Sequence, residues 1–179
     1  VSGGNEEYKG AARGTAYHRL MECLDYTAVD SESQIHKQIT ALTEAKKMAY
    51  EEAQCIRIQD IMTFLHSEIG QRMKKAFEAD QLYREQPFVL GVDAKELYPE
   101  EEDGELILIQ GIIDAYFEEP DGLVVLDYKT DKVNNGKELA EKYQEQLRYY
   151  AKALEQMSGK KVKEKIIYSF TLKKEIYIE

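Results

Sequence analysis

The chain has 179 residues, 43% of them hydrophobic and 32% charged, with a formal charge of −10. That is enough for one globular domain with its own core, and the acidic balance argues against a stand-alone nucleic-acid binder built around a basic patch. No apolar run approaches the ~20 residues needed to span a bilayer, no signal-peptide pattern opens the chain, and Cys23 and Cys55 fit no zinc, iron–sulfur or disulfide spacing, so a cytoplasmic protein without a membrane partner is expected.

The chain starts at Val1 and reads as a fragment of something longer. Residues 1–13 are small and polar and predict a flexible start. A helix is expected from Gly14, with Thr15 as its N-cap and Tyr17, Met21 and Leu24 at helical spacing. Residues 25–32 read as a loop. Residues 33–77 are helical in several pieces: Ile58, Ile61, Met62 and Leu65 form one stripe, and Ser67 caps a further helix carrying Ile69, Met73 and Phe77. At Leu82 the pattern changes to strands. "LYREQPFVLGV", "ELILIQGIIDAYF" and "LVVLDYK" make a β-meander, interrupted by the acidic loop "YPEEEDGE" and by a Pro-Asp-Gly turn. Residues 137–157 form a strong helix ended by Ser158-Gly159, and "VKEKIIYSFTLKKEIYIE" closes the chain as two more strands. Helices, three strands, a helix and two strands predict a single α/β domain over 1–179, with a helical segment at 14–78 and a sheet-and-helix core at 79–179.

The meander carries an oddity. Asp114 and Asp127 interrupt apolar strands on either side of the turn, and Lys129 follows two residues on. Asp is depleted in strands, and like charges facing each other destabilise a sheet. Alternation places Asp114 with Ile112 and Tyr116, and Asp127 with Lys129. With Pro120-Asp121 as a two-residue loop, Asp114 faces Asp127. With Asp121-Gly122 as the loop, Asp114 faces Lys129. Either register gathers the three charges on one face. Two such carboxylates repel unless a cation lies between them, and a divalent ion with oxygen ligands resolves the conflict.

"GIID" followed by "LDYK" resembles the core of the PD-(D/E)xK nucleases in its D…DxK form. "GTAYH" at 14–18 resembles the GxxxH motif of the RecB-type members, and "QLRYY" at 146–150 their QxxxY motif. "FLHSEIGQRM" and "REQPF" resemble the C-terminal nuclease domains of AddA-type helicase–nuclease subunits. The resemblance covers nearly the whole chain. It implies a restriction-endonuclease-like core: a mixed, mainly antiparallel sheet flanked by helices and preceded by a helical segment. It also implies a Mg²⁺-dependent deoxyribonuclease, of exonuclease type, that processes double-strand breaks for recombinational repair.

Carried onto this sequence, the resemblance makes Asp114, Asp127 and Lys129 catalytic. His18, Asp114, Asp127 and the backbone carbonyl of Tyr128 hold Mg²⁺, for which Mn²⁺ can substitute. With Thr15 as N-cap, His18 falls in the first helical turn, where the dipole keeps the ring neutral and able to bind a metal. Gln146 lies inside the apolar stripe of Leu139, Tyr143, Leu147, Tyr150, Leu154 and Met157, and the resemblance places Gln146 and Tyr150 in the DNA cleft. Glu85 is a weaker candidate, with an ordinary strand-edge glutamate as its plain reading. The implied partners are single-stranded DNA fed from an unwound duplex, a helicase domain in the same longer chain and an AddB-like subunit. No iron–sulfur cluster is expected, and without a GxxxxGK[ST] loop no ATP site either. A free-standing nuclease of the same fold, or a silent DNA-end-binding module, would share much of this pattern.

Overall fold

The computed structural model describes residues 3–100 and 104–179. Its order is α1 (Gly3–Cys23), α2 (Glu32–Glu44), α3 (Tyr50–Ala53), α4 (Ile58–His66), α5 (Glu68–Glu78), β1 (Leu82–Asp93), α6 (Ala94–Leu97), β2 (Leu106–Glu119), β3 (Gly122–Lys129), α7 (Gly136–Ser158), β4 (Val162–Ser169) and β5 (Lys174–Ile178). The five strands form one sheet in sequence order. β1, β2 and β3 are the antiparallel meander; β3 and β4 are parallel, joined by α7 as a crossover; β4 and β5 are antiparallel. This is the mixed, mainly antiparallel sheet expected.

Two cores cover its two faces. On one side, Tyr17, Leu20, Phe64, Ile69 and Met73 from the helical segment pack against Phe117, Leu126 and Tyr168. On the other, Leu139, Leu147, Tyr150 and Leu154 of α7 pack against Phe88, Val125 and Ile167. Ser67 caps α5 as the sequence predicts, its Oγ accepting from the Gly70 N–H at 3.1 Å. α7 ends at Gly159, whose φ of +70° suits a residue without a Cβ. Met157, placed in the α7 stripe, is instead half exposed in the last turn.

The first helix corrects two expectations. It begins at Gly3, so the start predicted as flexible is helical from there; residues 1 and 2 lie outside the described residues. Thr15 is not an N-cap but a mid-helix residue whose hydroxyl donates to the Ala11 carbonyl at 3.0 Å. Tertiary tethers override the weak local propensity of a glycine-rich segment. Arg13 donates to the Thr130 carbonyl at 3.1 Å and stands over the Tyr17 ring.

The meander also departs from simple alternation. Ile113 and Tyr116 pack on the α7 side, whereas Ala115 and Phe117 pack on the other. Leu82 and Phe88, both even-numbered, likewise face opposite cores. The pairing does not slip: Arg84 faces Ala115 and Gln86 faces Ile113. The switch therefore falls on the intervening pair, Glu85 and Asp114. Glu85 takes a left-handed φ of +50°, a conformation that costs about 1–3 kcal/mol for a residue with a side chain. Asp114 accordingly does not share a face with both Ile112 and Tyr116.

Candidate active site

The turn settles the register. Glu119 faces Gly122 and Ala115 faces Leu126, so Pro120-Asp121 is the two-residue loop. Asp114 is next in line opposite Asp127. The Tyr128 N–H donates to Asp114 Oδ2 at 3.0 Å, fixing that carboxylate across the strands. His18 reaches in from α1, its Nε2 3.1 Å from Asp114 Oδ2. One donor atom each from His18, Asp114 and Asp127 lies within 4.8 Å of the others. Lys129 Nζ stands 2.9 Å from Asp127 Oδ2 and 4.0 Å from the centre of the Tyr143 ring. The structure thus brings His18, Asp114, Asp127 and Lys129 together.

The geometry gives the GxxxH spacing a physical reason. The Gly14 carbonyl, one turn before His18, accepts from Nδ1 at 2.9 Å. That bond leaves Nε2 facing the carboxylates, the arrangement in which a histidine ligates a metal. A Cβ on residue 14 would come within 3.2 Å of Thr130 Oγ1, so glycine lets the helix approach the end of β3 closely.

The electrostatics differ from the expectation for His18. It sits deep inside α1, not in the first turn, so the helix dipole does not hold it neutral. Burial pulls its pKa down, but the hydrogen bond and charge of Asp114 outweigh that and raise it to about 9. Asp127 is pushed upward, first by burial and then by the charge of Asp114. Asp114 is held low: burial opposes ionisation, but the bonds from His18 and Tyr128 outweigh it. Lys129 is raised: burial works against its charge, and Asp127 more than restores it. A carboxylate with 2% exposure opposite a second carboxylate is unfavourable unless a cation joins them. One imidazole nitrogen and two carboxylate oxygens converging at this distance fit a divalent cation.

Gln146 and Tyr150 lie one turn apart on α7. Burial raises the Tyr150 hydroxyl, and the charges of Asp127, Asp114 and Glu85 add to the effect. The buried Oε1 of Gln146 has no hydrogen-bond partner among the described residues. Glu85 is more than a strand-edge residue. The register of the flanking pairs sets it opposite Asp114, and its carboxyl is raised by burial and then by Asp114. Tyr143 was visible in the sequence only as one apolar position in a stripe. No local signal in the sequence announced either its ring under Lys129 or the left-handed backbone at Glu85.

Comparison with known proteins shows the family. The family model described as the PD-(D/E)XK nuclease superfamily matches residues 2–177. Proteins named as the A subunit of an ATP-dependent helicase/nuclease are similar over almost the whole chain. The one from Lachnoclostridium phytofermentans is 36% identical across 97% of this chain and 15% of its own length. That from Clostridium botulinum (strain Loch Maree / Type A3) is 39% identical across 99% and 14%, and that from Acetivibrio thermocellus 42% across 92% and 13%. The chain therefore spans about one-seventh of the length of these relatives.

Proposed function

The chain belongs to the PD-(D/E)XK nuclease superfamily, and we propose that it is the nuclease domain of an AddA-type helicase–nuclease. In this role it is a Mg²⁺-dependent deoxyribonuclease, exonucleolytic, acting in double-strand-break repair. The observation that carries this reading is the convergence of His18, Asp114 and Asp127 on one point, with Lys129 beside it. The relatives' printed name supports the helicase and nuclease pairing. On this reading the 179 residues form one catalytic domain of a longer cytoplasmic protein, with a helicase domain in the same chain and an AddB-like partner.

His18 Nε2 and one oxygen each from Asp114 and Asp127 would hold Mg²⁺ or Mn²⁺, with the Tyr128 carbonyl as a further oxygen. Such an ion supplies Lewis-acid polarisation of the phosphodiester. Its binding requires His18 to give up its proton and Asp127 to ionise. Gly14 and the Tyr128 N–H keep His18 and Asp114 oriented while that happens. Lys129 remains protonated beside Asp127, at the place where negative charge builds on the phosphorus or where the attacking water must be held. Tyr143 supports it from below. Gln146 and Tyr150 wall the cup from α7 and orient the strand, and the unpartnered Gln146 oxygen is a natural acceptor for a substrate-side donor. Glu85 adds acidity at the rim.

The test is cleavage of labelled single-stranded and duplex DNA and RNA, with Mg²⁺ or with EDTA. Metal-dependent cutting of single-stranded DNA supports the reading. Preference for RNA would favour a free-standing nuclease of the same fold, and binding of DNA ends without cleavage would favour a silent module.

A further inference from the structure

Beside the cup lies a second concentration of charge. A cavity of about 580 Å³ is walled by Lys9 and Arg13 of α1, Arg57 before α4, Lys132 beyond β3 and Lys173 in the β4–β5 turn, with Asp60 as its one acidic lining residue among the described residues. Five cations around one carboxylate are conspicuous in a chain of net charge −10. The cations of α7 contrast with them. Lys142 pairs with Asp131 at 2.7 Å, Arg148 with Glu145 at 2.5 Å and Lys137 with Glu141 at 3.7 Å. Among the described residues, Arg57 and Lys132 are exposed and neither forms a salt bridge.

The floor of the cavity is rigid. Asp60 is buried and accepts from the Tyr17 hydroxyl at 2.5 Å, and that hydroxyl accepts from the Arg57 N–H at 3.1 Å. Arg13 approaches Asp60 at 3.5 Å and Lys173 at 3.9 Å. Asp60 thus gathers two cations without neutralising the group. The cavity is also tied to the end of β3 that carries Lys129. Arg13 and Thr171 both donate to the Thr130 carbonyl, the residue after Lys129. Arg13 precedes His18 on the same helix by roughly 7.5 Å of axial rise.

We infer that this cavity is a subsite for a backbone phosphodiester of the DNA strand whose neighbouring bond lies in the cup. The inference rests on the nuclease reading for the identity of the strand. Exposed cations of both kinds, held on a fixed floor, suit a phosphodiester and carry no base information. The subsite gives an acidic domain a local field that its net charge conceals.

The test uses the 179-residue chain and its Arg57→Ala/Lys173→Ala double variant, both positions outside the cup. Anisotropy follows a labelled single-stranded oligonucleotide, with Ca²⁺ in place of Mg²⁺, across a range of salt. The inference expects affinity to fall about tenfold and the salt slope to shrink by up to roughly 0.7, the share of one phosphate no longer neutralised. With Mg²⁺, oligonucleotide kcat/KM should fall in step with affinity. Cleavage of thymidine 5′-(p-nitrophenyl phosphate), whose single ester occupies the cup alone, should stay within about twofold. Unchanged affinity and salt slope would overturn the inference, as would equal losses on both substrates. If the wild type cuts neither substrate, the nuclease reading fails and the binding arm still decides the cavity. Should the double variant not fold, Arg57→Gln alone is expected to give about half the change in slope, and no change there also overturns it.

Discussion

The cup at Asp114 and Asp127 and the cavity around Asp60 are both tied to the Lys129–Thr130 segment, and their buried carboxylates are treated in opposite ways. Asp60 is met by a tyrosine hydroxyl, a guanidinium and an ammonium group. Asp127 is met by Lys129 and by a second carboxylate. The first arrangement is complete within the chain and spends its acid on fixing cations. The second is electrostatically unfinished and calls for a divalent ion. Burial alone therefore does not mark a functional acid; what stands opposite it does. The network of Arg72 with Glu119 and Glu164, away from both clusters, shows the compensated case on the surface.

The largest effects should come from breaking the cup. Asp114→Ala or Asp127→Ala is expected to abolish cleavage of single-stranded DNA in Mg²⁺. Lys129→Ala should lower kcat by about 10²–10³, the cost of removing one charge-stabilising group. Wild-type turnover by any of the three would show that the cup is an ordinary charged patch.

Next in size is the coupling of metal to stability. Mn²⁺ at a hundredfold excess over its dissociation constant should stabilise the wild type by about 2.7 kcal/mol. For a domain of this size that raises the melting temperature by roughly 5–10 °C. Asp127→Asn should not respond. An equal response in both proteins would place the ion elsewhere.

A smaller loss is expected from the wall of the cup. Gln146→Ala should reduce cleavage by roughly ten- to a hundredfold, through lost positioning. A variant that melts lower yet cuts at the wild-type rate would make Gln146 a packing residue.

The smallest effect concerns the compensated network. Arg72, followed by Lys163, holds Glu119 down to about 2, against burial that would raise it. A depressed carboxylate contributes stability above its unfolded pKa, near 4.5, and loses it as the pH falls through about 2. Arg72→Ala should cost about 1 kcal/mol at neutral pH, and the difference from wild type should close in that acid window. Urea titrations at pH 7 and pH 3 would show the gap shrinking, and an undiminished gap at pH 3 would assign the loss to packing over Phe117 instead.

Much of this was legible in the sequence. The Pro-Asp turn and the strand periodicity limited Asp114 to two partners, and Ser67 and Gly159 marked helix ends by their chemistry. What escaped was set by tertiary structure. α1 extends back to Gly3, and its Arg13 ties it to Thr130 and Asp60, contacts that no local propensity reveals. The charge state expected for His18 failed with the helix start on which it depended. The face switch at Glu85 needs a left-handed residue where glutamate gives no hint of one. The basic cavity joins residues from Lys9 to Lys173, so only the fold assembles it.

The central claim is that His18, Asp114 and Asp127 hold a divalent ion while Lys129 serves the reaction without holding it. Calorimetric titration of Mn²⁺ into the wild type, Asp114→Ala, Asp127→Ala and Lys129→Ala tests it most directly. The account predicts one binding event in the wild type, its loss in both aspartate variants, and near-wild-type affinity in Lys129→Ala. Aspartate variants that bind Mn²⁺ like the wild type would contradict it.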